Sequence, residues 1–278
     1  MGTLYLVATP IGNLDDITAR ALRILRQVSL IAAEDTRQTR VLLDHYKIQT
    51  PLISYHEHNK LQRIDQVLAA LSQGDVALVS DAGTPALNDP GYELVKAALQ
   101  AGYPVSPIPG PSAPVAALVA SGLPTDAFLY LGYLPRKAGD RRKLLDEVSA
   151  LPYTLVFLET PHRLVEALED LQSTLGDRSM AVARELTKLH EEIFRGRISQ
   201  ARAHFSTQPV RGEITLVVAG EGAVKKWDED QVRTALRQQL SNGATPAQLA
   251  GELAARSGWP RRKVYQMLME MQAAEETY

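Results

Sequence analysis

The chain has 278 residues, of which 45% are hydrophobic and 22% are charged, and its formal net charge is −2. This composition excludes a largely disordered chain, and the near-neutral charge excludes a protein that binds nucleic acid through its overall charge. The lack of cysteine excludes disulfides, thiolate metal sites and a cysteine nucleophile.

The first part of the chain alternates short aliphatic runs with segments of helical periodicity. The predicted strands are residues 4–8, 30–33, 51–55, 76–80 and 105–108. The predicted helices are residues 17–28, 36–46, 59–71 and 92–100, the first of them capped by Asp15 or Asp16. This alternation predicts a largely parallel sheet with helices on both faces, in an N-terminal domain of residues 1–111.

A loop rich in small residues follows the fourth predicted strand, where residues 79–91 read VSDAGTPALNDPG. The carboxyl end of a parallel strand is a typical ligand-binding position in α/β proteins. The loop contains neither GxGxxG nor GxxxxGK[ST], and PIGN at residues 10–13 offers one glycine where a dinucleotide turn needs three. We therefore expect a zwitterionic, adenosine-like ligand rather than a pyrophosphate.

The next part of the chain is less regular. Prolines crowd into residues 107–114, which predicts a hinge over residues 108–114. A helix over residues 115–121 follows the hinge, and a helical run starts at residue 199. The predicted strands are residues 127–131, 153–158, 180–183, 191–196 and 213–219. Together these elements predict a mixed sheet in a second domain of residues 112–224.

Residues 133–143 form a basic segment that reads YLPRKAGDRRK. It is either a solvated loop or a contact for a phosphate backbone.

The C-terminal residues 225–278 predict a helical unit with segments over 227–240, 248–256 and 261–271, the second of them starting near Thr245 and Pro246. The last two helices resemble a helix-turn-helix with Arg261, Arg262 and Lys263 at the start of the second helix. The unit either contacts nucleic acid or serves only for packing or dimerisation.

Charged residues cluster just after several predicted strands. The clusters are AEDTR at 33–37, YHEHN at 55–59, ETPHR at 159–163 and RELTK at 184–188. Each cluster alone is typical of helix caps and surface ion pairs, but together they predict a polar cleft. An extended segment would point His56 and His58 to one side, but without a third ligand we predict no metal site. The absence of GxSxG disfavours hydrolysis by an activated serine.

Several stretches, in order over residues 4–218, resemble one known family. They are LYLVATPIGNLDDIT, AEDTRQTRVLL, SYHEHN, VSDAGTPALNDPG, PIPGPSA, ETPHR, RELTKLHEE and RGEITLVV. The chain resembles the tetrapyrrole-methylase superfamily of S-adenosylmethionine-dependent methyltransferases, and within it the branch that methylates a cytidine 2′-hydroxyl in 16S ribosomal RNA. The resemblance implies an α/β, two-domain fold with a parallel-sheet N-terminal domain, a mixed-sheet second domain and a small helical C-terminal tail. It also implies a homodimer with S-adenosylmethionine bound in the cleft.

The same resemblance implies the residues that contact the methyl donor. They are Pro10, Gly12, Asp81, Ala82, Gly83, Thr84, Pro85, Ser112, Ala113, Ala183 and Thr215. Thr84 stands where many members of the superfamily have aspartate, which removes a charge from the loop.

In-line methyl transfer to a ribose oxygen requires alignment and a group that accepts the proton. The candidates by chemistry are Glu34, Asp35, Asp81, Glu159, Glu185 and Lys188. We predict Asp81 or Glu185 as the proton acceptor, and Lys188 or Arg37 as the cation that steers the ribose and phosphate. The predicted RNA contacts are Arg136, Lys137, Arg141, Arg142, Lys143, Arg261, Arg262 and Lys263.

Three other functions stay open from the sequence. A methylase of a tetrapyrrole and a protein methylase of the diphthamide type would share the fold, and a DNA-binding regulator would use the α/β part as a ligand sensor.

No basic segment followed by an apolar run opens the sequence, and no apolar run approaches the roughly 18 residues that a membrane span needs. We therefore expect a cytoplasmic protein without a membrane partner.

Overall fold

A computed structural model of the chain describes residues 2–207, 209–222, 227–240 and 246–275. These residues form two compact units. The larger unit combines the chain up to Val148 with Thr154–Val218, and the smaller unit combines Ser149–Tyr153 with the chain from Ala219 onward. Within the described residues, every helix is too short or too polar to cross a membrane.

The first sheet of the larger unit is parallel throughout, as predicted. Its strands and the helices between them are β1 (Leu4–Val7), α1 (Ala19–Gln27), β2 (Leu30–Ala33), α2 (Thr36–His45), β3 (Leu52–Ser54), α3 (Lys60–Gln73), β4 (Val76–Val79), α4 (Tyr92–Gln100) and β5 (Val105–Ile108). The strand order is β3-β2-β4-β1-β5. One face packs against α1 and α2, and the other packs against α3 and α4. Because both faces are covered, the central strand β4 is buried at every residue.

The start of α1 differs from the prediction. Asp15 and Asp16 lie in a separate 3₁₀ turn, and the Thr18 hydroxyl accepts the N-cap hydrogen bond from the Ala21 amide at 3.1 Å. The Asn13 side chain accepts a hydrogen bond from the Asp15 amide, so the chain turns once before the helix begins. The prediction of an aspartate cap is therefore wrong, since threonine occupies the cap position.

The second sheet is mixed, as predicted. Its elements, with the helix that precedes them, are α5 (Ala113–Ser121), β6 (Phe128–Tyr133), α6 (Ala138–Val148), β7 (Thr154–Glu159), α7 (Leu164–Leu175), β8 (Ser179–Arg184), β9 (Glu192–Arg197), α8 (Ile198–Phe205) and β10 (Ile214–Val218). The strand order is β6-β7-β10-β8-β9, with β6 parallel to β7 and the other neighbours antiparallel. The core of this layer lies between α5 and strands β7, β8 and β10.

The basic segment of residues 133–143 is not a solvated loop along its whole length, because α6 begins at Ala138. Arg141 faces the interior with Leu145 and Val148, and its side chain is fully buried. Its guanidinium donates to Asp170 and to Glu166 on α7, at 2.7 Å each. The prediction that Arg141 contacts RNA is therefore wrong, since a buried guanidinium held by two carboxylates is a structural group.

The smaller unit contains α9 (Glu229–Leu240), α10 (Pro246–Ser257) and α11 (Arg261–Glu275). The three helices share an apolar cluster that includes Val232, Leu253 and Leu268. The exposed basic residues Arg261, Arg262 and Lys263 form the first turn of α11. The predicted start of α10 at Thr245 and the predicted domain boundary between residues 224 and 225 lie outside the described residues.

Candidate functional site

A cavity of about 340 Å³ opens where loops of the parallel sheet face the mixed sheet within the larger unit. It is lined by the loop after β4, by the N-terminal end of α5, and by residues on or beside β6, β7, β8 and β10. This volume lies in the range of small-molecule sites. The position agrees with the rule that α/β proteins bind ligands at the carboxyl ends of parallel strands.

The loop after β4 is fixed to its neighbours by backbone hydrogen bonds. The Thr9 amide donates to the Gly83 carbonyl at 2.9 Å, and the Gly83 amide donates back at 3.0 Å. The Thr84 hydroxyl donates to the Pro111 carbonyl at 3.3 Å. Gly83 has φ +79°, a conformation that glycine adopts without strain. The loops after β1, β4 and β5 therefore form one rigid wall of the cavity.

Unusual backbone conformations gather in two loops near the cavity. Ala86 and Asn88 each have φ +66°, and Glu185 and Thr187 have φ +51° and +65°. Positive φ is uncommon for residues other than glycine, and such strain tends to cluster at functional sites. The Asn88 side chain accepts a hydrogen bond of 2.6 Å from the Tyr130 hydroxyl, which connects the first of these loops to β6.

The residues that line the cavity carry negative charge. Four of them are carboxylates, and none of the described lining residues is lysine or arginine; the carboxylates are Glu34, Asp81, Asp89 and Glu213. Burial together with the nearby Glu34 charge raises the pKa of Asp89 to about 6. Burial also raises the pKa of Asp81 and of Glu34 above their ordinary values. The cavity is therefore suited to a cationic ligand. Its carboxylates with raised pKa values are also suited to accept a proton.

Most of the predicted donor contacts lie together at this cavity. Those that line it are Asp81, Ala82, Gly83, Thr84, Ser112, Ala113, Ala183 and Thr215. Pro10 and Gly12 line a smaller cavity of about 140 Å³ that shares Asp81 with the first, and Pro85 is buried. The contacts of all these residues with a methyl donor stay a prediction.

The four predicted catalytic residues occupy different positions. Asp81 lines the cavity and accepts a hydrogen bond of 2.9 Å from the Asp35 amide. Lys188 Nζ lies 2.8 Å from Glu185 Oε1 and 3.1 Å from Glu213 Oε2, so the pair borders the cavity through Glu213. Arg37 does not line the cavity; it is 90% exposed and pairs at 2.7 Å with Asp35, whose amide donates to Asp81.

The carboxylates differ in how readily they accept a proton, because their surroundings shift their pKa values in different directions. A hydrogen bond from Lys188 lowers the pKa of Glu185, and hydrogen bonds from Arg37 lower the pKa of Asp35 to about 2. Asp81 has a raised pKa and is therefore the stronger base of the two residues that we predicted as acceptors.

Sequence reasoning missed five polar or aromatic residues that line the cavity, namely Asn88, Asp89, Tyr130, Tyr133 and Glu213. Asp89 lies in the small-residue loop after β4, so the second aspartate of VSDAGTPALNDPG was the available signal. The two tyrosines lie on β6, and only the pairing of β6 with β7 brings them to the cavity.

The predicted geometry of the two histidines is wrong. Glu57 and His58 lie in a turn after His56, rather than on an extended segment. The two imidazole rings are 6.0 Å apart and meet edge to face. Among the described residues, no group of three or more His, Asp or Glu side chains is placed to hold a metal ion.

The chain matches known proteins over most of its length. Residues 3–202 match the family described as Tetrapyrrole (Corrin/Porphyrin) Methylases. The chain is 48% identical to "Ribosomal RNA small subunit methyltransferase I" of Synechocystis sp., with 98% of this chain and 99% of that protein covered. It is 49% identical to the protein of the same name from Thermotoga maritima, with 80% of this chain and 100% of that protein covered.

A solved structure also resembles the chain. The uroporphyrin-III C-methyl transferase of Thermus thermophilus complexed with S-adenyl homocysteine superposes with a TM-score of 0.55 at 21% identity. The superposition covers 79% of this chain and 98% of that one. At this identity, the likeness establishes a shared fold.

Proposed function

The chain belongs to the tetrapyrrole (corrin/porphyrin) methylase family, and we propose that it transfers a methyl group from S-adenosylmethionine to a cytidine 2′-hydroxyl of 16S ribosomal RNA. The substrate follows from near full-length relatives that carry the name of a ribosomal RNA small subunit methyltransferase. The chain is thus a ribosomal RNA methyltransferase, and its partner is the small ribosomal subunit or its RNA.

The negative cavity is the observation that supports the methyl donor best. S-adenosylmethionine carries a sulfonium and an ammonium group, and the lining carboxylates Asp81, Asp89 and Glu213 complement both charges. Ser112 and Ala113 bring the N-terminal end of α5 to the same cavity, and the Ser112 side chain makes no capping hydrogen bond there. A backbone amide at a helix N-terminus, here that of Ala113, suits the carboxylate of the donor, although Pro114 in the next position has no amide hydrogen.

The reaction is a displacement at the methyl carbon. The ribose 2′-oxygen forms a bond to the methyl carbon while the carbon–sulfur bond breaks, which yields a 2′-O-methyl ribose and S-adenosylhomocysteine. The hydroxyl proton passes to a carboxylate of the cavity. Asp81 is the acceptor we favour, because it lines the cavity and burial raises its pKa. Lys188, held by Glu185 and Glu213, supplies a positive charge beside the developing alkoxide.

The two alternatives within the family receive less support. Methylation of a tetrapyrrole rests on structures that share only the fold at low identity. Methylation of a protein rests on the same kind of likeness. The relatives at 48% and 49% identity, in contrast, carry the name of an RNA methyltransferase.

Transfer of labelled methyl from S-adenosylmethionine tests the function directly. The acceptors are free 16S RNA and small subunits from cells that lack the protein, and nuclease digestion then locates the label. We expect label on one cytidine ribose, and we expect Asp81→Asn to lower the rate by about 10²-fold through loss of the base. The control Asp65→Asn changes an exposed aspartate on α3 and should leave the rate unchanged. Label on a base or on protein would refute the proposal.

Three further properties belong to the same proposal. We place the enzyme in the cytoplasm, where small subunits are assembled, and we expect a homodimer whose mass light scattering would measure. We also keep the division into domains 1–111, 112–224 and 225–278 as a proposal, which limited proteolysis would test at the two boundaries.

A further inference from the structure

A second, basic groove lies beside the methyl-donor cavity. It has a volume of about 590 Å³ and is lined by Tyr133, Leu134, Arg136, Thr160, His162 and Arg163. Tyr133 also lines the donor cavity, so one aromatic ring belongs to both. The side chain that separates the two spaces is therefore a tyrosine at the end of β6.

The two spaces differ in charge. The lining of the donor cavity contains four carboxylates, whereas the described lining of the groove contains Arg136, Arg163 and His162 and no carboxylate. Carboxylates attract a cationic sulfonium donor, and basic residues attract a polyanionic acceptor. The two substrates can therefore meet where the donor cavity adjoins the groove.

Arg163 is held in place by three hydrogen bonds. Its guanidinium contacts the buried Glu159 carboxylate at 2.6 Å, and it donates to the Thr160 hydroxyl at 3.0 Å and to the Leu134 carbonyl at 3.2 Å. The Arg163 side chain is only 13% exposed. Because the Glu159 carboxylate neutralises its charge, Arg163 forms a rigid floor of the groove rather than a free cation, and these contacts keep it from serving as the mobile contact for RNA.

The remaining arginine and the imidazole of the groove are exposed. Arg136 lies just after β6, and His162 lies in the 3₁₀ turn after β7. Tyr133 is 52% exposed, so its ring is accessible to a ligand in the groove. Single-stranded RNA is bound by this combination of an exposed aromatic ring, which stacks on a base, and nearby basic side chains that donate hydrogen bonds to phosphates.

We propose that this groove holds the target nucleotide, with its base stacked on Tyr133 and the adjoining phosphates near Arg136 and His162. The ribose then lies at the boundary between the groove and the donor cavity, where its 2′-hydroxyl meets the methyl group. Because stacking requires an unpaired base, the substrate is a nucleotide in a single-stranded or flipped-out conformation. This inference rests on the proposed function and adds the site of the acceptor.

Steady-state kinetics with small subunits as acceptor test the groove. Tyr133→Ala should raise the KM for the RNA substrate by about tenfold to hundredfold, the effect of a lost base-stacking contact. Tyr133→Phe keeps the ring and should behave like the wild type. Arg136→Ala should raise the same KM and reduce its dependence on salt. All three variants should bind S-adenosylmethionine, measured by calorimetry, within about twofold of the wild type.

The matched control is Lys96→Ala, which removes an exposed cation from α4 of the parallel layer. If Tyr133→Ala and Arg136→Ala match Lys96→Ala in RNA KM, the groove does not hold the nucleotide. If Tyr133→Ala weakens donor binding as strongly as RNA binding, Tyr133 belongs to the donor site and the inference is wrong.

A second assay separates this inference from the proposed function. Binding of a short oligocytidine RNA, measured in the presence of S-adenosylhomocysteine, needs no methyl transfer. A wild type that transfers no methyl to ribosomal RNA would refute the proposed function. Oligocytidine binding that is lost in Tyr133→Ala and kept in Tyr133→Phe would still support the groove, and equal binding by both variants would overturn it.

Discussion

The two units of the chain differ in how their polar residues are held. In the larger unit, loops after three strands are joined by hydrogen bonds, and backbone strain at Ala86 and Asn88 is kept next to a cavity. In the smaller unit, an apolar cluster joins three helices, and the basic residues lie exposed on the first turn of α11. Catalysis requires groups that are held in fixed positions, as in the larger unit. Binding of a polyanion requires only exposed basic residues, as in the smaller unit.

About a fifth of the chain has no counterpart in the Thermotoga maritima relative that carries the same name as the longer ones. The smaller unit is about this size. We propose that the smaller unit affects how firmly RNA is held, which the variants of α11 below test.

The largest expected effect concerns stability, and it tests whether the two units unfold separately. Arg141→Ala should destabilise the larger unit by about 3–5 kcal/mol, because it leaves the Asp170 carboxylate buried without its partner. Leu253→Ala should destabilise the smaller unit by about 2–5 kcal/mol, because it opens a cavity among α9, α10 and α11. Calorimetry should show that each variant lowers one transition only.

The control for Arg141→Ala is Arg142→Ala, which removes a half-exposed neighbour and should cost less than about 1 kcal/mol. A single transition that both core variants lower together would mean that the units fold as one, and the comparison would not hold.

A smaller effect is expected on RNA affinity when the basic turn of α11 is removed. Changing Arg261, Arg262 and Lys263 together to alanine should weaken RNA binding about tenfold and reduce the salt dependence by about 2 in slope. Arg261 contributes least to this change, because its guanidinium already donates to the Ala247 carbonyl at 3.1 Å. Donor affinity should not change. Filter binding over a range of salt concentrations measures both quantities.

A matched triple variant removes the same charge from the larger unit. It changes the exposed Arg20, Arg23 and Lys96 to alanine. Equal losses of RNA affinity in the two triple variants would show that the α11 turn acts only through net charge, and would remove its role as an RNA contact.

The smallest effect is a pH dependence within the donor cavity. Above pH 6 the Asp89 carboxylate is ionised and attracts the cationic donor; as the pH falls through about 6 it becomes protonated, and donor affinity should fall several-fold. Asp89→Asn should bind the donor more weakly at pH 7, with a flatter profile between pH 7 and pH 5. Calorimetric titration across this range measures the effect, and parallel profiles for the two proteins would contradict it.

Ionisation of Asp89 favours donor binding but lowers the stability of the folded protein. Its pKa in the folded protein lies above the ordinary value of 3.8, so ionisation opposes folding. This penalty is absent below the ordinary pKa and develops as the pH rises through about 6. After discounting for partial exposure, Asp89→Asn should stabilise the protein by about 1 kcal/mol at pH 8.

The sequence predicted most elements of the parallel sheet, because β-branched and aliphatic runs alternate there with clear helical periodicity. Tyr92–Gln100 and Val105–Ile108 have the predicted bounds. The sequence did not predict α6, because its basic residues dominate the pattern and hide the buried face formed by Arg141, Leu145 and Val148. The partners of Arg141 lie on α7, and a single sequence does not show that pairing.

Only part of the candidate site was predicted, because some of its residues are brought together by contacts between distant parts of the sequence. Asp81 and its neighbours follow a strand that is easy to recognise, so the loop was found from local sequence. Tyr133 and Glu213 are separated from that loop by more than forty residues, and the strand pairing of the mixed sheet brings them to the cavity. Residues that act through such distant contacts carry no local motif.

The chain contains two tryptophans, Trp227 and Trp259, and the Trp259 indole donates a hydrogen bond of 2.5 Å to the Trp227 carbonyl. Both tryptophans therefore lie in the helical unit, whereas the described linings of the donor cavity and of the groove contain tyrosine but no tryptophan. Tryptophan emission is thus a built-in optical reporter of the C-terminal helices, and no dye or added label is needed to follow them while RNA binds.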